Sequence, residues 1–338
     1  VDQVAINLLN GLSSGLLLFM LSAGLTLIFS MMGVLNFAHA GFYMLGAYVG
    51  WSAARVVGFW GALVVAPLAV GLLGAAFERA CLRRVHRHGH AAELLVTFGL
   101  GVLILEVVQL AWGRAALAFP PPPALAGPAF TIVQAPGHGL TLVAGQAPAA
   151  RCAAAACTTF PATRAFMMAV ALAMLAALWA LLTRTRAGLV IQAALTHPEM
   201  AEALGHDVPR VFMAVFGAGC GLAGLAGVIG GTTFVTEPQM AAAIGSILFV
   251  VVVVGGTGSL AGAFAGSLLV GLLQTMPLTV DQSFADLAAA AGWRLSPAGA
   301  LYPLARLTLA QVAPVLPYLL LVLVLLVRPQ GLFGKRDG

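Results

Sequence analysis

Long uncharged apolar runs constrain this chain more than any other feature, and the first extends from about Val4 to Phe29 without an Asp, Glu, Lys or Arg. An α-helix needs roughly 20 such residues to cross the hydrocarbon core of a bilayer. Further apolar runs, each with at most two charged residues, follow near 37–57, 61–80, 92–112, 164–182, 211–231, 242–254, 260–275 and 315–327. A water-soluble protein of 338 residues needs polar side chains over its exterior, yet 61% of this chain is hydrophobic and 8% is charged. An ordinary soluble domain is about a quarter charged, so the missing solvent here is lipid. The expected fold is an all-α integral membrane protein, one polytopic domain over 1–338 with roughly eight transmembrane segments. Forty glycines fit such a bundle, because small residues let helices approach closely where lipid removes the hydrophobic drive to associate.

Charge placement orients the bundle. The densest basic stretch, Cys81 to His90, and the pairs Arg184 with Arg186 and Lys335 with Arg336 all sit at ends of apolar runs, the pattern of cytoplasmic loops. The net charge of +5 therefore reports orientation and not nucleic-acid binding. On this map 113–163 and 277–314 are outer, periplasmic loops and 184–210 is a cytoplasmic loop. The N-terminus lies outside and the C-terminus inside a bacterial inner membrane, which requires an odd count: about seven crossings with a re-entrant hairpin, or about nine. The first run is too long for a signal peptide and stays as a span. Cys81 and Cys220 fall in or beside apolar helices, whereas Cys152 and Cys157 fall in the outer loop, where an oxidising periplasm permits a disulfide without requiring one.

Two breaks interrupt the apolar pattern. Gly33 and Asn36 precede the second run, and Gly255-Gly-Thr-Gly-Ser259 divides two short segments. Such breaks predict discontinuous or re-entrant helices whose freed backbone groups face protein or water. Gly33, Asn36, His39, Gly41, Gly255, Gly256, Gly258 and Ser259 are thus the candidates for lining a pathway or shaping the breaks. Asn36 and His39 also admit a plainer reading, in which Asn36 caps the next helix and His39 hydrogen-bonds a neighbouring backbone. Within 187–210 the polar stretch reads as a short amphipathic helix, with Pro198 in its first turn, Glu199 and Glu202 near its start and Gly205 at its end.

Several chemistries are disfavoured. His86 to His90 reads as a solvated basic loop in preference to a metal site. The glycines at 255, 256 and 258 lack the βαβ setting of a dinucleotide fingerprint. No P-loop motif is present and Lys335 is the only lysine, so nucleotide phosphates are not held by the usual device. Glu78, Glu93 and Glu106 lie toward predicted helix ends, which argues against a proton-driven pump. An intramembrane enzyme lacks clustered catalytic residues, and a self-sufficient channel or secondary transporter remains the other alternative.

At these residues a resemblance becomes visible. Gly33-Val-Leu-Asn-Phe-Ala-His-Ala-Gly-Phe-Tyr-Met-Leu-Gly-Ala-Tyr48 closely resembles the N-terminal signature of permeases of branched-chain amino acid ABC importers, specifically the leucine/isoleucine/valine H-type subunit. Ala201 to Arg210 with Gly217 to Gly227 resembles that family's coupling loop and next helix. Gly255 to Ala263 and Arg328-Pro-Gln-Gly-Leu-Phe-Gly334 complete the pattern. The resemblance spans the chain except about 113–163 and 277–314. It implies a heterodimer with an M-type permease, two cytoplasmic ATPases that bind ATP and Mg, and a periplasmic solute-binding protein, with no cofactor in this chain. It also implies that Glu199, Glu202, Ala203 and Gly205 couple ATPase motion to the spans. Related permeases serve urea, amides and other small solutes, so the solute is left open.

Overall fold

The structure, a computed structural model, describes residues 2–33, 35–134, 140–148, 152, 155–280, 282–290, 292–293 and 302–334. Lys335 and Arg336 lie outside the described residues. Apolar runs in lipid become helices because only a helix satisfies its own backbone there. Helix α1 (Asp2–Met32) is the central member: 78% of its apolar stretch is buried, and Phe19, Met20 and Leu21 are fully enclosed.

Helix α2 (His39–Phe77) departs from helical geometry at Gly58, where φ is 74° and ψ 171°. Its two arms run in opposite directions, as their contacts with α7 (Val208–Thr233) demonstrate. Gly46 meets Gly224 and Gly50 meets Val228 in the first arm, whereas Pro67 meets Gly221 and Gly71 meets Gly217 in the second. The first arm therefore runs parallel to α7 and the second antiparallel, so the expected spans near 37–57 and 61–80 are separate crossings. A left-handed φ makes Gly58 the joint, since any Cβ there is strained.

Between them come α3 (His90–Trp112), α4 (Ala162–Arg184), and the short α5 (Arg186–Thr196) and α6 (Pro198–Ala203). After α7 follow α8 (Met240–Gly255), α9 (Leu260–Thr275) and α10 (Leu316–Val327). Six described helices are long and apolar enough to cross a membrane. One of these, α2, is two spans, and α8 and α10 are shorter apolar helices, which makes nine apolar segments among the described residues.

The Gly255 to Ser259 break differs from expectation. Helix α9 runs antiparallel to α1, because Gly11 meets Leu272 and Gly15 meets Leu268, while Ser30 Oγ at the other end of α1 donates to Gly258 O at 3.2 Å. The glycines thus form a turn between antiparallel helices at the end of the bundle, and do not interrupt a helix at mid-depth. Helix α10, with 12 residues, reaches only about 18 Å. It starts partway down the bundle, where Tyr318 and Ser246 hydroxyls bond at 2.8 Å.

The segment 113–163 carries no long helix, as expected, but it holds a three-stranded antiparallel sheet of order β2-β1-β3. The strands are β1 (Pro128–Gln134), β2 (Leu140–Ala144) and β3 (Ala156–Pro161). The fold is therefore all-α only within its membrane body. Ile132 and Phe160 seat the sheet on Ile6 of α1, and a Cys152–Cys157 disulfide closes the approach to β3. Trp51 Nε1 donates to Ala118 O at 2.9 Å, and Leu117 N donates to Thr236 O at 2.8 Å, which pins the segment to α2 and to the loop that follows α7. The segment 277–314 carries short helices at Phe284–Ala290, Tyr302–Ala305 and Leu309–Val312, the last held by a reciprocal Thr308 and Gln311 cap.

Helix α7 is wedged between α1 and both arms of α2 by glycine contacts. A Cβ on Gly219 would lie 2.8 Å from Gly24 O and from Ile28. Gly219→Val is expected to destabilise the protein by about 1–3 kcal/mol through overpacking, read as a lowered melting temperature in detergent. Gly99→Val, where a Cβ meets nothing within 4 Å, serves as the control and leaves the melting temperature nearly unchanged.

Candidate functional site

The first candidate region lies where α1 hands over to α2. Gly33, with φ of 66°, ends α1, its N–H donating to Phe29 O at 2.8 Å. Asn36 Oδ1 then accepts from Ala38 N at 3.0 Å and Asn36 O accepts from His39 N at 3.1 Å, which starts α2. His39 Nε2 donates to Leu21 O at 3.0 Å, and its Cε1 is 3.2 Å from the position a Cβ on Gly24 would take. Gly24 lies about 12 Å before the end of α1, so the chain has bent back into the bundle before α2 begins.

Asn36 and His39 border a cavity of about 340 Å³, together with Ser246 and Tyr318 and with the apolar side chains of Leu25, Phe249 and Leu321. The capping and backbone bonds therefore belong to residues that also border the cavity. Gly33 and Gly41 do not border it. Gly41 instead admits Ile104 of α3, whose side chain would lie 3.6 Å from a Cβ there.

Behind Asn36 lies a second void, of about 10 Å³, bordered by Glu93, Thr97 and Phe216. Glu93 is 1% exposed. Its carboxylate pairs with His86, and His90 Nδ1 is 3.7 Å away. Glu93 Oε2 lacks a hydrogen-bond partner, and the void has room for about one water. The sequence reading placed Glu93 at a helix end and missed its burial. The signal was its position immediately after the His86 to His90 run, whose imidazoles supply its partners. Among the described residues no three His, Cys, Asp or Glu side chains come together as a metal site.

The glycines of the α8–α9 turn lie apart from the cavity. Leu332 N donates to Val254 O at 2.9 Å and Phe333 N to Gly255 O at 3.0 Å, so the Arg328 to Gly334 tail is latched onto the turn. Gly256 and Gly331 have φ of 104° and 79°, and each would place a Cβ 2.5 Å from the other strand of the latch. Ser259 Oγ accepts from Gly262 N at 3.0 Å and caps α9. Two stretches distant in sequence thus form one structural unit, and neither Gly255, Gly256, Gly258 nor Ser259 borders the cavity.

The second candidate region is a platform at the basic end. The 187–210 stretch forms two helices, because His197 leaves helical geometry and Pro198 opens α6. Ala194 and Ala201 seat both helices on Val208 and Phe212 of α7. Glu199, Glu202, Ala203 and Gly205 all face outward, and Gly205, with φ of 88°, turns the chain toward α7. Met200 and Leu204 are 62% and 78% exposed. These two apolar side chains were missed in the sequence, although both lie within the polar stretch that drew attention. Arg83 ties this end together, pairing with buried Glu78 at 3.1 Å and donating to Pro209 O at 2.7 Å.

A bundle of apolar spans with a polar-tipped cavity at mid-depth, and an exposed helical platform at one end, has the form of a transport permease. The chain belongs to the branched-chain amino acid transport system / permease component family, whose model matches residues 7–325. It is similar to the high-affinity branched-chain amino acid transport system permease protein LivH of Escherichia coli K12, 27% identical over 345 residues, covering 97% of this chain and 94% of the relative. The corresponding LivH of Salmonella typhimurium is 26% identical, with 97% and 94% covered. BraD of Pseudomonas aeruginosa, a permease protein of the same description, is 24% identical, with 98% and 95% covered. No solved structure matches the chain significantly. It is a multi-pass inner-membrane transport protein and not an enzyme.

The latch makes a specific demand on Gly331. Gly331→Ala is expected to weaken it by at least about 1–2 kcal/mol, the cost of a left-handed conformation for a residue with a Cβ. Hydrogen exchange at the Leu332 and Phe333 amides is the measurement, and it should quicken by about tenfold or more.

Proposed function

We propose that this chain is one membrane half of an ATP-driven importer for branched-chain amino acids. Its partners in this reading are a second, M-type permease, two cytoplasmic ATPases that bind ATP and Mg, and a periplasmic solute-binding protein. The N-terminus and the β-sheet face the periplasm, and the α5–α6 platform and the C-terminal latch face the cytoplasm. The basic residues Arg79, Arg83, Arg84, Arg87, Arg184, Arg186, Arg210 and Arg328 support that orientation, because all lie at the platform end.

The observation that carries the ATPase partnership is the platform itself. Met200 in α6 and Leu204 just after it expose large apolar surface beyond the apolar spans, where water and not lipid is the solvent. Such surface is stabilised by a protein partner, and the acidic Glu199 and Glu202 beside it add polarity at the rim. The chain has no phosphate-binding loop of its own, so the energy for transport enters through separate subunits. Motion at α6 passes to α7 through the Ala201, Val208 and Phe212 contacts. Helix α7 in turn packs on α1 and both arms of α2, which lets a small displacement at the platform reach the cavity.

The test is reconstitution of all subunits in proteoliposomes. Leu204→Asp is expected to lower ATP-coupled leucine uptake by at least about tenfold, as for loss of an interface anchor, with assembly of the two permeases intact. Undiminished coupled uptake would remove the docking role. The purified chain alone is expected to move no solute, and leucine flux through it without ATPases would favour a channel.

A further inference from the structure

Two buried polar atoms of opposite character, both unmatched, belong to residues that border the cavity beside α2. Asn36 is 4% and His39 1% exposed, both border the cavity, and Asn36 Nδ2 and His39 Nδ1 have no partner. Asn36 Oδ1 is committed to Ala38 N–H at 3.0 Å, so the free end of that amide is its donor. Leu21 O can only accept, so the 3.0 Å contact assigns a ring proton to His39 Nε2. In the neutral ring Nδ1 is then an acceptor.

The donor stands at the first turn of α2. Amides there lack intrahelical acceptors, and the helix dipole favours a negative group. Ala40, in that same turn, also borders the cavity. The opposite wall is apolar, formed by Leu25, Phe249 and Leu321, and no Asp, Glu, Lys or Arg is among the lining residues. A volume of about 340 Å³ sits at the small end of the range of small-molecule sites, roughly 300–1,000 Å³.

We propose that this cavity is a transit subsite for a zwitterionic aliphatic amino acid. The carboxylate meets Asn36 Nδ2 and the first turn of α2, the ammonium meets His39 Nδ1, and the branched side chain lies on the apolar wall. The inference rests on the permease reading and deepens it by assigning the groups recognised inside the membrane. It also separates an amino acid from two neighbours in chemistry. A carboxamide lacks the anion for the helix terminus, and a simple aliphatic acid lacks the ammonium for His39.

The test uses the complete importer in lipid nanodiscs without its solute-binding protein, so that the membrane subsite alone selects. Radiolabelled leucine binding is measured against unlabelled leucine, leucinamide and 4-methylpentanoate. Leucinamide and 4-methylpentanoate are expected to compete at least about tenfold more weakly than leucine, the loss of one charge-assisted hydrogen bond. Asn36→Asp keeps the capping oxygen but sets a carboxylate against the substrate's own. It is expected to weaken leucine by at least about tenfold and to erase the preference over leucinamide. Asn36→Ser, which keeps a capping hydroxyl without the donor or added charge, repeats the measurement should Asp disturb assembly.

Equal leucine binding by the wild type and both variants would overturn the subsite while leaving the permease reading standing. Competition by 4-methylpentanoate as strong as by leucine would also overturn it, pointing to a fatty-acid or other simple anion site. A wild-type importer that fails to take up leucine even with its binding protein and ATP removes the permease's substrate, and the subsite with it.

Discussion

Every feature of this protein follows from the need to satisfy backbone N–H and C=O groups where no water is available. A helix does so internally, which is why the membrane body is helical throughout. Departures from helix are then confined to places where the backbone has other partners. The turn before α2 uses the Asn36 side chain and backbone, and the α8–α9 turn uses the Arg328 to Gly334 tail. The β-sheet, whose edges would be costly in lipid, sits instead against the N-terminal ends of α1 and α4.

Helices satisfied in this way have little hydrophobic reason to associate in lipid, and close van der Waals contact must do the work. The glycines of α7 supply it. Gly217, Gly219, Gly221, Gly224 and Gly227 present backbone on several sides of one helix, and they meet Gly71, Gly24, Pro67, Val70 and Tyr43 in turn. Helix α7 thereby becomes the mechanical link between the platform at one end and the α1–α2 junction in the interior. Since packed interfaces shift between discrete arrangements and do not deform continuously, a rigid glycine-lined link suits the transmission of a displacement. The cavity survives in this dense setting because α10 is short and the α1–α2 bend places a helix start, with its unmatched donors, inside the bundle.

Much of this was legible in particular residues. The spans were readable from length and hydropathy, the Gly58 hairpin from two adjacent runs, and the helix at 198–203 from Pro198, its acidic first turn and the Gly205 that follows it. Asn36 and His39 stood out because polar side chains are expensive within an apolar run. Other features were not readable. The strands of 128–161 are short, and their pairing order β2-β1-β3 depends on contacts between stretches that each look like loop. The burial of Glu93 was hidden because position along a helix says nothing about which neighbour covers it. The α8–α9 glycines looked like a mid-depth break because their real partner is the tail some 70 residues further on, a separation that local pattern does not bridge.

By itself the sequence determined the solvent, the secondary structure of the membrane body and the basic end of the bundle, because each depends on composition within a single run. Tertiary structure alone decided which glycines line a crossing and which lie in a turn. It alone set Asn36 and His39 against Ser246 and Tyr318, and left Met200 and Leu204 uncovered. Those outcomes depend on distances between segments, and a distance between segments is fixed only when every helix has found its neighbours.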